Sequence, residues 1–328
     1  MRKHLLAIAV ILTVPTGCDN VAWGGIDVEL KPPPEPARVA ETDGEAEAEN
    51  GPINANGPLL LAGVRTGLTG DFVLVGEVLP EGVRPFPDPE FPEDADRLAS
   101  AAAVGSEWVL FSEGVRVGRM VVDATAPADD FCGSRTTLSG VVEMVSPAAT
   151  AERLLALPAA DASSHAYGEY LAIGDAYAQR VATITMAGEA IPRYGATWPT
   201  EGVLDAREDI RVFQLSDANS LSVAATFLFQ DALTVSSPRQ GAYSLFVMGR
   251  QSGDTYGEEF SWYRSVEAEG KGAPRYFDHL DWDGDGEDEI LLEVMGSNRR
   301  WFAVLSRVDG TWTRTFQDAC GSGSATGG

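Results

Sequence analysis

Carboxylates alternate along one short segment near the end of the chain. The segment reads Asp281, Trp282, Asp283, Gly284, Asp285, Gly286, Glu287, Asp288, Glu289. Acids at its first, third, fifth and ninth positions can turn inward around one centre when the loop curls, and the glycine at the sixth position permits the sharp bend. The spacing predicts a Ca²⁺ site made by Asp281, Asp283, Asp285, Glu287 (through its backbone carbonyl) and Glu289, because this many hard oxygen ligands suits Ca²⁺ better than Mg²⁺.

The same segment is compared with two kinds of calcium loop. An EF-hand is excluded, because its twelfth position needs a bidentate Glu and here holds Leu292. Residues 276–295 instead resemble the FG-GAP/VCBS family, whose signature is a loop Asp-x-Asp-x-Asp-Gly-x-x-Asp/Glu followed by a short apolar strand. The resemblance implies β-propeller blades with Ca²⁺ between paired strands, held by the same five positions. The alternative for the loop is an acidic turn in solvent.

The elements that must position this loop are mostly β-strands. Short runs rich in Val, Phe, Trp and Tyr are separated by Gly, Pro, Asp and Ser. The predicted strands cover residues 72–75, 108–111, 115–122, 138–145, 181–186, 210–215, 221–229, 243–248, 259–263, 289–295 and 301–307, with a hairpin turn at 308–312. Helices are predicted at 92–103 and 149–157. The expected fold is mostly β with one or two short helices, either a partial or degenerate β-propeller or a β-sandwich.

The N-terminus has the pattern of an export signal. Arg2 and Lys3 precede an apolar run over residues 5–14, which is too short to cross a bilayer. Small residues then lead to Cys18, and this end resembles a bacterial lipoprotein signal, although Pro15 stands where that pattern usually has Leu. The resemblance implies removal of residues 1–17, lipidation of Cys18 and an anchor in the bacterial cell envelope. The alternative is an ordinary secretory signal with an incidental cysteine.

Composition divides the remaining chain. Residues 18–57 are rich in Pro, Glu and Ala without apolar periodicity, which predicts an extended, disordered tether. Residues 58–320 are predicted to form the β-rich domain, with a possible subdivision near 158–165. Residues 321–328 are predicted to be a disordered tail.

Cysteine usage agrees with an oxidising compartment. The chain has three cysteines, so lipidation of Cys18 would leave Cys132 and Cys320 as a pair. The preferred prediction is a disulfide between them, and the alternative is two separate thiols.

The charge balance excludes some partners. The chain has 24 Lys and Arg against 49 Asp and Glu, a net charge of -25. Nucleic acid is excluded because its phosphates need Lys and Arg to neutralise them, and an acidic surface does not adhere to anionic lipids. Contact with a membrane is therefore expected through the lipid anchor only.

Motifs for catalysis are lacking in the sequence. It contains no Gly-x-Ser-x-Gly, His-Glu-x-x-His or P-loop pattern, and only His165 and His279 remain after the signal. His279 is expected to be a partly exposed strand residue beside the acidic loop. Five aromatic residues are predicted to be core rather than a sugar platform: Trp262, Tyr263, Trp301, Phe302 and Trp312.

Three functional hypotheses follow. The first is a non-enzymatic envelope lipoprotein whose Ca²⁺-stabilised β-domain binds an unknown envelope or extracellular partner. The second is a secreted or periplasmic hydrolase with acidic catalytic residues. The third is a structural envelope protein without bound metal.

Overall fold

The structure is a computed structural model that describes residues 56–88, 90–133, 135–162, 168–216 and 218–321. Strands account for 48% and helices for 14% of it, which confirms the predicted mostly β class with few helices. The predicted signal peptide, Cys18, the predicted tether up to residue 55, His165 and the predicted tail after residue 321 lie outside the described residues.

The first half of the described chain forms a closed antiparallel barrel. Its strands are β1 Leu59–Thr66, β2 Thr69–Leu79, β3 Gly82–Arg84, β4 Glu107–Ser112, β5 Val115–Pro127, β6 Thr136–Met144 and β7 Arg153–Pro158. Because β1 pairs with both β7 and β2, the order β1-β7-β4-β5-β6-β2 closes into six strands, and β3 extends from β2. Closure removes free sheet edges. Helix α1, Glu93–Ala101, precedes β4 where a helix was predicted.

Two four-stranded sheets follow the barrel. The first contains β8 Arg207–Phe213, β9 Ser222–Phe229, β10 Tyr243–Ser252 and β11 Thr255–Ser265, and the second contains β12 Ala273–Leu280, β13 Glu289–Met295, β14 Arg300–Val308 and β15 Thr311–Gln317. In both sheets each strand pairs antiparallel with its neighbour in sequence. Helix α2, Tyr177–Arg193, packs on the first sheet, and α3 is Val266–Glu269.

Hydrophobic clusters join these layers. One cluster draws buried residues from all six barrel strands and fills the barrel interior, as side chains do in small barrels. A second contains barrel residues such as Leu60 and Phe111 together with Trp282 and Phe302 of the second sheet, so this sheet covers part of the barrel's outer face. A third lies between the two four-stranded sheets and includes Phe246. The two sheets therefore pack face to face, which is how sheets pack in sandwiches and propellers.

Four of the five aromatic residues predicted as core are buried. Trp262, Trp301 and Trp312 lie in the cluster between the two sheets. Phe302 lies in the cluster between the barrel and the second sheet. Tyr263 is partly buried and packs against a fourth hydrophobic cluster, which contains Ala190 of helix α2 and Val247 of strand β10. The prediction of core rather than an exposed platform is confirmed for the four buried residues.

The predicted strand at 181–186 is wrong, because these residues belong to α2. The buried positions of α2 recur with helical spacing at Gln179, Thr183, Met186, Ala187, Ala190 and Ile191. The Oε1 atom of Gln179 also accepts a hydrogen bond of 3.0 Å from the backbone N–H of Ala176, which satisfies a donor at the start of the helix. Burial of this face against the first sheet outweighs the strand preference of the β-branched residues.

The predicted helix at 149–157 is also wrong. A 3-10 turn over Ser146–Ala148 is followed by strand β7. The run from Leu154 to Leu157 is buried throughout, because alternate residues face the barrel interior and the layer outside the barrel. A short, continuously apolar run cannot be assigned to helix or strand by periodicity alone.

The structure also bears on the chain's organisation. The last barrel strand ends at residue 158 and the first strand of the four-stranded sheets begins at residue 207, while a shared hydrophobic cluster connects the barrel to the second sheet. Residues 163–167 lie outside the described part of the chain. A subdivision near 158–165 therefore stays a prediction.

Candidate metal centre and a neighbouring carboxyl pocket

The acidic loop connects the first two strands of the second sheet. Leu280 pairs with Glu289 at the end of the β12–β13 ladder, so residues 281–288 form the hairpin connection. Gly286 has a φ angle of +93°, a conformation that residues with a Cβ rarely adopt. The glycine at the sixth loop position thus provides the bend that the sequence pattern requires.

Asp281 organises the start of this loop. Its Oδ1 accepts a hydrogen bond of 2.7 Å from the backbone N–H of Gly284, and its Oδ2 accepts one of 3.0 Å from that of Gly286. These bonds curl the loop around the first carboxylate. Carboxylate oxygens of Asp281, Asp283 and Asp285 lie within 4.8 Å of one another. The structure therefore brings three of the five predicted ligands together.

The remaining acids surround this group. Glu289 is only 6% exposed, and burial, together with the charge of Asp283, raises its pKa to about 9. Burial also raises the pKa of Asp283, with further contributions from the charges of Asp285 and Asp281. Glu287 is exposed at its side chain, and its backbone N–H donates a hydrogen bond of 2.8 Å to Asp285 Oδ1. Negative charge is thus concentrated at this loop, with Arg307 of β14 lining the same cavity as Asp283, Asp285 and Glu289.

The donor set fits a hard divalent cation. All predicted ligand atoms are oxygens, three carboxylates converge, and a fourth is buried at the base of the loop. A bound Ca²⁺ would stabilise the charged forms of Asp283 and Glu289, whose pKa values are raised by burial and by neighbouring carboxylates. Asp281, Asp283, Asp285 and Glu289 would hold the ion by side-chain oxygens and Glu287 by its carbonyl.

Two buried residues attach the loop to the rest of the domain. Trp282 is 2% exposed and packs in the hydrophobic cluster beneath the barrel. Asp288 is also buried, and its carboxylate accepts hydrogen bonds from the backbone N–H of Ser216 and, at 3.0 Å, from the Ser216 hydroxyl. The loop's acids also border a cavity of about 140 Å³, whose opposite side is the barrel turn at residues 80–83. The loop therefore sits at a packed junction between sheet and barrel.

A second cluster of carboxyl groups, which the sequence did not predict, lies next to the loop. The β4–β5 hairpin turns at Glu113 and Gly114, with φ angles of +52° and +72°. The backbone N–H of Glu113 donates a hydrogen bond of 2.9 Å to Asp278 Oδ1, and that of Gly114 donates one of 3.2 Å to the carbonyl of His279. A Cβ atom at Gly114 would lie 3.1 Å from His279 Nε2. The tip of the barrel hairpin is thereby docked on β12.

Glu113 and Asp278 form a buried carboxyl pair. A β-bulge between Tyr276 and Asp278 interrupts the β12 ladder, and bulges commonly re-aim side chains beside functional sites. Burial raises the pKa of Glu113 to about 7, and burial followed by the Glu113 charge raises that of Asp278 well above its usual range. The Oε2 atom of Glu113 is buried and has no hydrogen-bond partner among the described residues. Such an orphaned oxygen is rare and calls for an explanation.

His279 differs from its prediction. It was expected to be partly exposed, and this is wrong, because the residue is 0% exposed. Its Nε2 lies 3.1 Å from the carbonyl oxygen of Gln214, which can only accept, so Nε2 carries the proton. Its Nδ1 then accepts from the Tyr276 hydroxyl at 2.5 Å. Burial lowers the pKa of His279, and the neutral ring links strand β12 to the segment after β8.

The carboxyl pair opens into a pocket of about 270 Å³. Arg153 at the start of β7, Arg211 on β8 and Tyr170 also line this pocket. The sequence carries two weak indications of this site. Glu113-Gly114 occupies a hairpin turn where Asn-Gly or Asp-Gly is usual, and Asp278 is an acid directly after the aromatic residues Tyr276 and Phe277.

The two remaining cysteines meet at the end of the domain. Cys132 and Cys320 have Cα atoms 6.0 Å apart and sulfur atoms at bonding distance, which makes them a disulfide candidate. The backbone N–H of Cys132 donates to the Arg300 carbonyl at 2.8 Å, so the candidate lies beside the start of β14.

Comparisons of the chain with protein-family models, curated proteins and solved structures give no match. The resemblance of residues 276–295 to the FG-GAP/VCBS loop therefore stays a prediction that depends on the loop residues. In the part of the chain that the structure describes, no helix has the length and apolar character needed to cross a membrane.

Proposed function

We propose that this protein is an exported, lipid-anchored and non-enzymatic component of the bacterial cell envelope, whose Ca²⁺-stabilised β-domain binds an envelope or extracellular partner. One observation supports the calcium part above all others. Carboxylate oxygens of Asp281, Asp283 and Asp285 lie within 4.8 Å of one another, with the buried Glu289 beside them.

The calcium ion has a structural role in this proposal. Without a cation, the carboxylates of the loop repel one another and Glu289 resists ionisation in its buried position. Ca²⁺ removes both costs and joins β12 to β13 at their loop. Because Trp282 anchors the same loop under the barrel, the ion would also stabilise the contact between the second sheet and the barrel.

The anchor and the disulfide complete the proposal. Removal of the signal would leave Cys18 as the lipidated first residue, and residues 18–57 would hold the domain away from the membrane. In the oxidising envelope Cys132 and Cys320 would be bonded, which restrains the end of the chain. The net charge of -25 supports a partner that is neither nucleic acid nor an anionic membrane surface.

A calcium titration of the purified full chain tests this function. The melting temperature is measured in chelator and in increasing CaCl₂, with MgCl₂ as the matched control. A saturable rise with calcium, and a much smaller one with magnesium, is the expected result. Equal melting temperatures in chelator and in millimolar calcium would contradict the calcium site.

A hydrolase with acidic catalytic residues is the second candidate, and the Glu113–Asp278 pair is the observation that favours it. Carboxylate oxygens of the two residues lie within 4.8 Å of each other beside a pocket, and glycosidases hydrolyse their substrates with such a pair of carboxyl groups. The raised pKa of Glu113, about 7, would suit a general acid. Hydrolysis of aryl glycosides that disappears in Glu113→Gln and survives in Glu143→Gln would establish this candidate in place of the first.

A further inference from the structure

The pocket beside the acidic loop is lined by residues of both charges. These are the acidic residues Glu113, Asp278 and Glu152 and the arginines Arg153 and Arg211. The barrel supplies Glu113 and Arg153, the first sheet supplies Arg211, and the second sheet supplies Asp278. Pockets where several structural layers meet are common ligand sites.

Among the described residues, neither arginine of the pocket forms an ion pair of 4.0 Å or less, although the charges of Asp209 and Glu293 act on Arg153. Arg211 is exposed and close enough to Glu113 to lower its pKa, yet within the described ranges it forms no ion pair shorter than 4.0 Å. Arg153 donates from Nη1 to the backbone carbonyl of Tyr276 at 3.0 Å, and burial and neighbouring arginines lower its pKa. Two adjacent guanidinium groups repel each other and favour an anion between them.

Glu113 and Asp278 instead require hydrogen-bond donors or positive charge. Asp278 Oδ1 accepts hydrogen bonds from the backbone N–H groups of Glu113 and His279, each at 2.9 Å. The Oε2 atom of Glu113 is buried and accepts none within the described residues. A donor from a ligand, and above all a cationic one, would satisfy this oxygen and stabilise the ionised pair.

A single small molecule can meet both requirements. We propose that this pocket binds a zwitterion of the α-amino-acid class, with its ammonium group on Glu113 and Asp278 and its carboxylate on Arg211 and Arg153. A volume of about 270 Å³ admits an amino acid but not a folded protein segment. The proposal goes beyond the function above and does not depend on calcium.

Other occupants leave part of the pocket unsatisfied. A metal ion on Glu113, Asp278 and His279 would lack an imidazole ligand, because both ring nitrogens of His279 are engaged with Tyr276 and Gln214. A simple anion would leave the buried oxygen of Glu113 without a donor. A simple amine would leave the guanidinium groups unpaired.

Isothermal titration calorimetry of the purified full chain tests the pocket. The probes are L-alanine, L-serine, L-lysine and L-glutamate, with sodium acetate and ethylammonium chloride as analogues that carry one charge each. We expect saturable binding of at least one amino acid, at least ten-fold tighter than either analogue. No heat from any of the four amino acids at millimolar concentration would overturn the proposal, and so would acetate binding as tight as the best amino acid.

Variants test where the amino acid binds and whether its binding requires calcium. Glu113→Gln and Arg211→Gln should each weaken the tightest amino acid at least ten-fold. Glu143→Gln and Arg119→Gln, which alter an exposed ion pair on the barrel, should leave its affinity unchanged. Unchanged affinity in both pocket variants would overturn the proposal. The titrations are run with calcium and with chelator, so that failure of the pocket in both media is distinguishable from failure of the calcium site.

Discussion

The backbone N–H of Glu113 donates a hydrogen bond of 2.9 Å to the side chain of Asp278, across 165 positions of sequence. This bond joins the tip of a barrel hairpin to the strand that enters the acidic loop. The candidate calcium loop and the charged pocket therefore share one structural support, although each has its own ligands.

Asp283→Ala should remove the calcium-dependent part of the stability. A ligand at 100 times its Kd adds about 2.7 kcal/mol to the free energy of unfolding. For a domain of this size that is about 5–10 °C in Tm, so the variant should melt lower in calcium and change little in chelator. Differential scanning calorimetry in both media checks this. Asp254→Ala, in the exposed β10–β11 turn, is the matched control, and equal losses for Asp283→Ala in both media would contradict metal ligation.

Glu113→Gln should flatten the pH dependence of stability between about pH 4.5 and pH 7. The pKa of Glu113 is raised from 4.5 to about 7 in the folded state, mainly by burial. Protonated Glu113 therefore stabilises the folded state below pH 4.5. This stabilisation is lost as the pH rises to about 7. The loss is on the order of 3 kcal/mol. Urea denaturation across this range measures it, with Glu143→Gln as the control. A slope in Glu113→Gln as steep as in the unmodified protein would refute the assignment.

Gly114→Ala should destabilise the domain more than an ordinary left-handed turn glycine does. Gly114 has a φ angle of +72°, and a Cβ atom there would meet His279 Nε2 at 3.1 Å and Ser216 Oγ at 3.3 Å. Gly253 has a φ angle of +60° with nothing within 4 Å of its Cβ position, so Gly253→Ala isolates the backbone cost. Chemical denaturation should give losses of about 2–3 kcal/mol for Gly114→Ala and about 1 kcal/mol for Gly253→Ala. Equal losses would mean that the hairpin tip is not docked on β12.

Cys18→Ser should abolish lipid attachment. Metabolic labelling with palmitate should mark the unmodified protein and leave the variant unlabelled, because Cys18 is the proposed site of lipidation. Membrane fractionation of the two proteins provides the second readout. Labelling that survives the substitution would exclude the lipoprotein anchor.

Local patterns allowed several features to be predicted. Alternating acids and a glycine at the sixth position predict a curled loop, and oxygens of Asp281, Asp283 and Asp285 do converge. The strands from residue 107 to 144 and from 207 to 308 follow runs of β-branched and aromatic residues, so most were located. These signals depend on neighbours in sequence, which is why one chain suffices to detect them.

Errors occurred where distant packing decides the local structure. The segment 181–186 has β-branched residues but becomes helical because α2 buries one face against the first sheet. Strand β7 resembles a helix in sequence because both of its faces are covered. His279 is polar, yet it is fully buried where Tyr276 and Gln214 satisfy both ring nitrogens.

By itself the sequence determined the mostly β class and the acid spacing of the loop, because these are periodic or contiguous patterns. Only the tertiary structure decided that six strands close into a barrel and that Glu113 meets Asp278 in a pocket that Arg211 also lines. The physical reason is that a pocket forms where separate layers pack together, and its charges interact through space across long stretches of chain that local patterns do not connect.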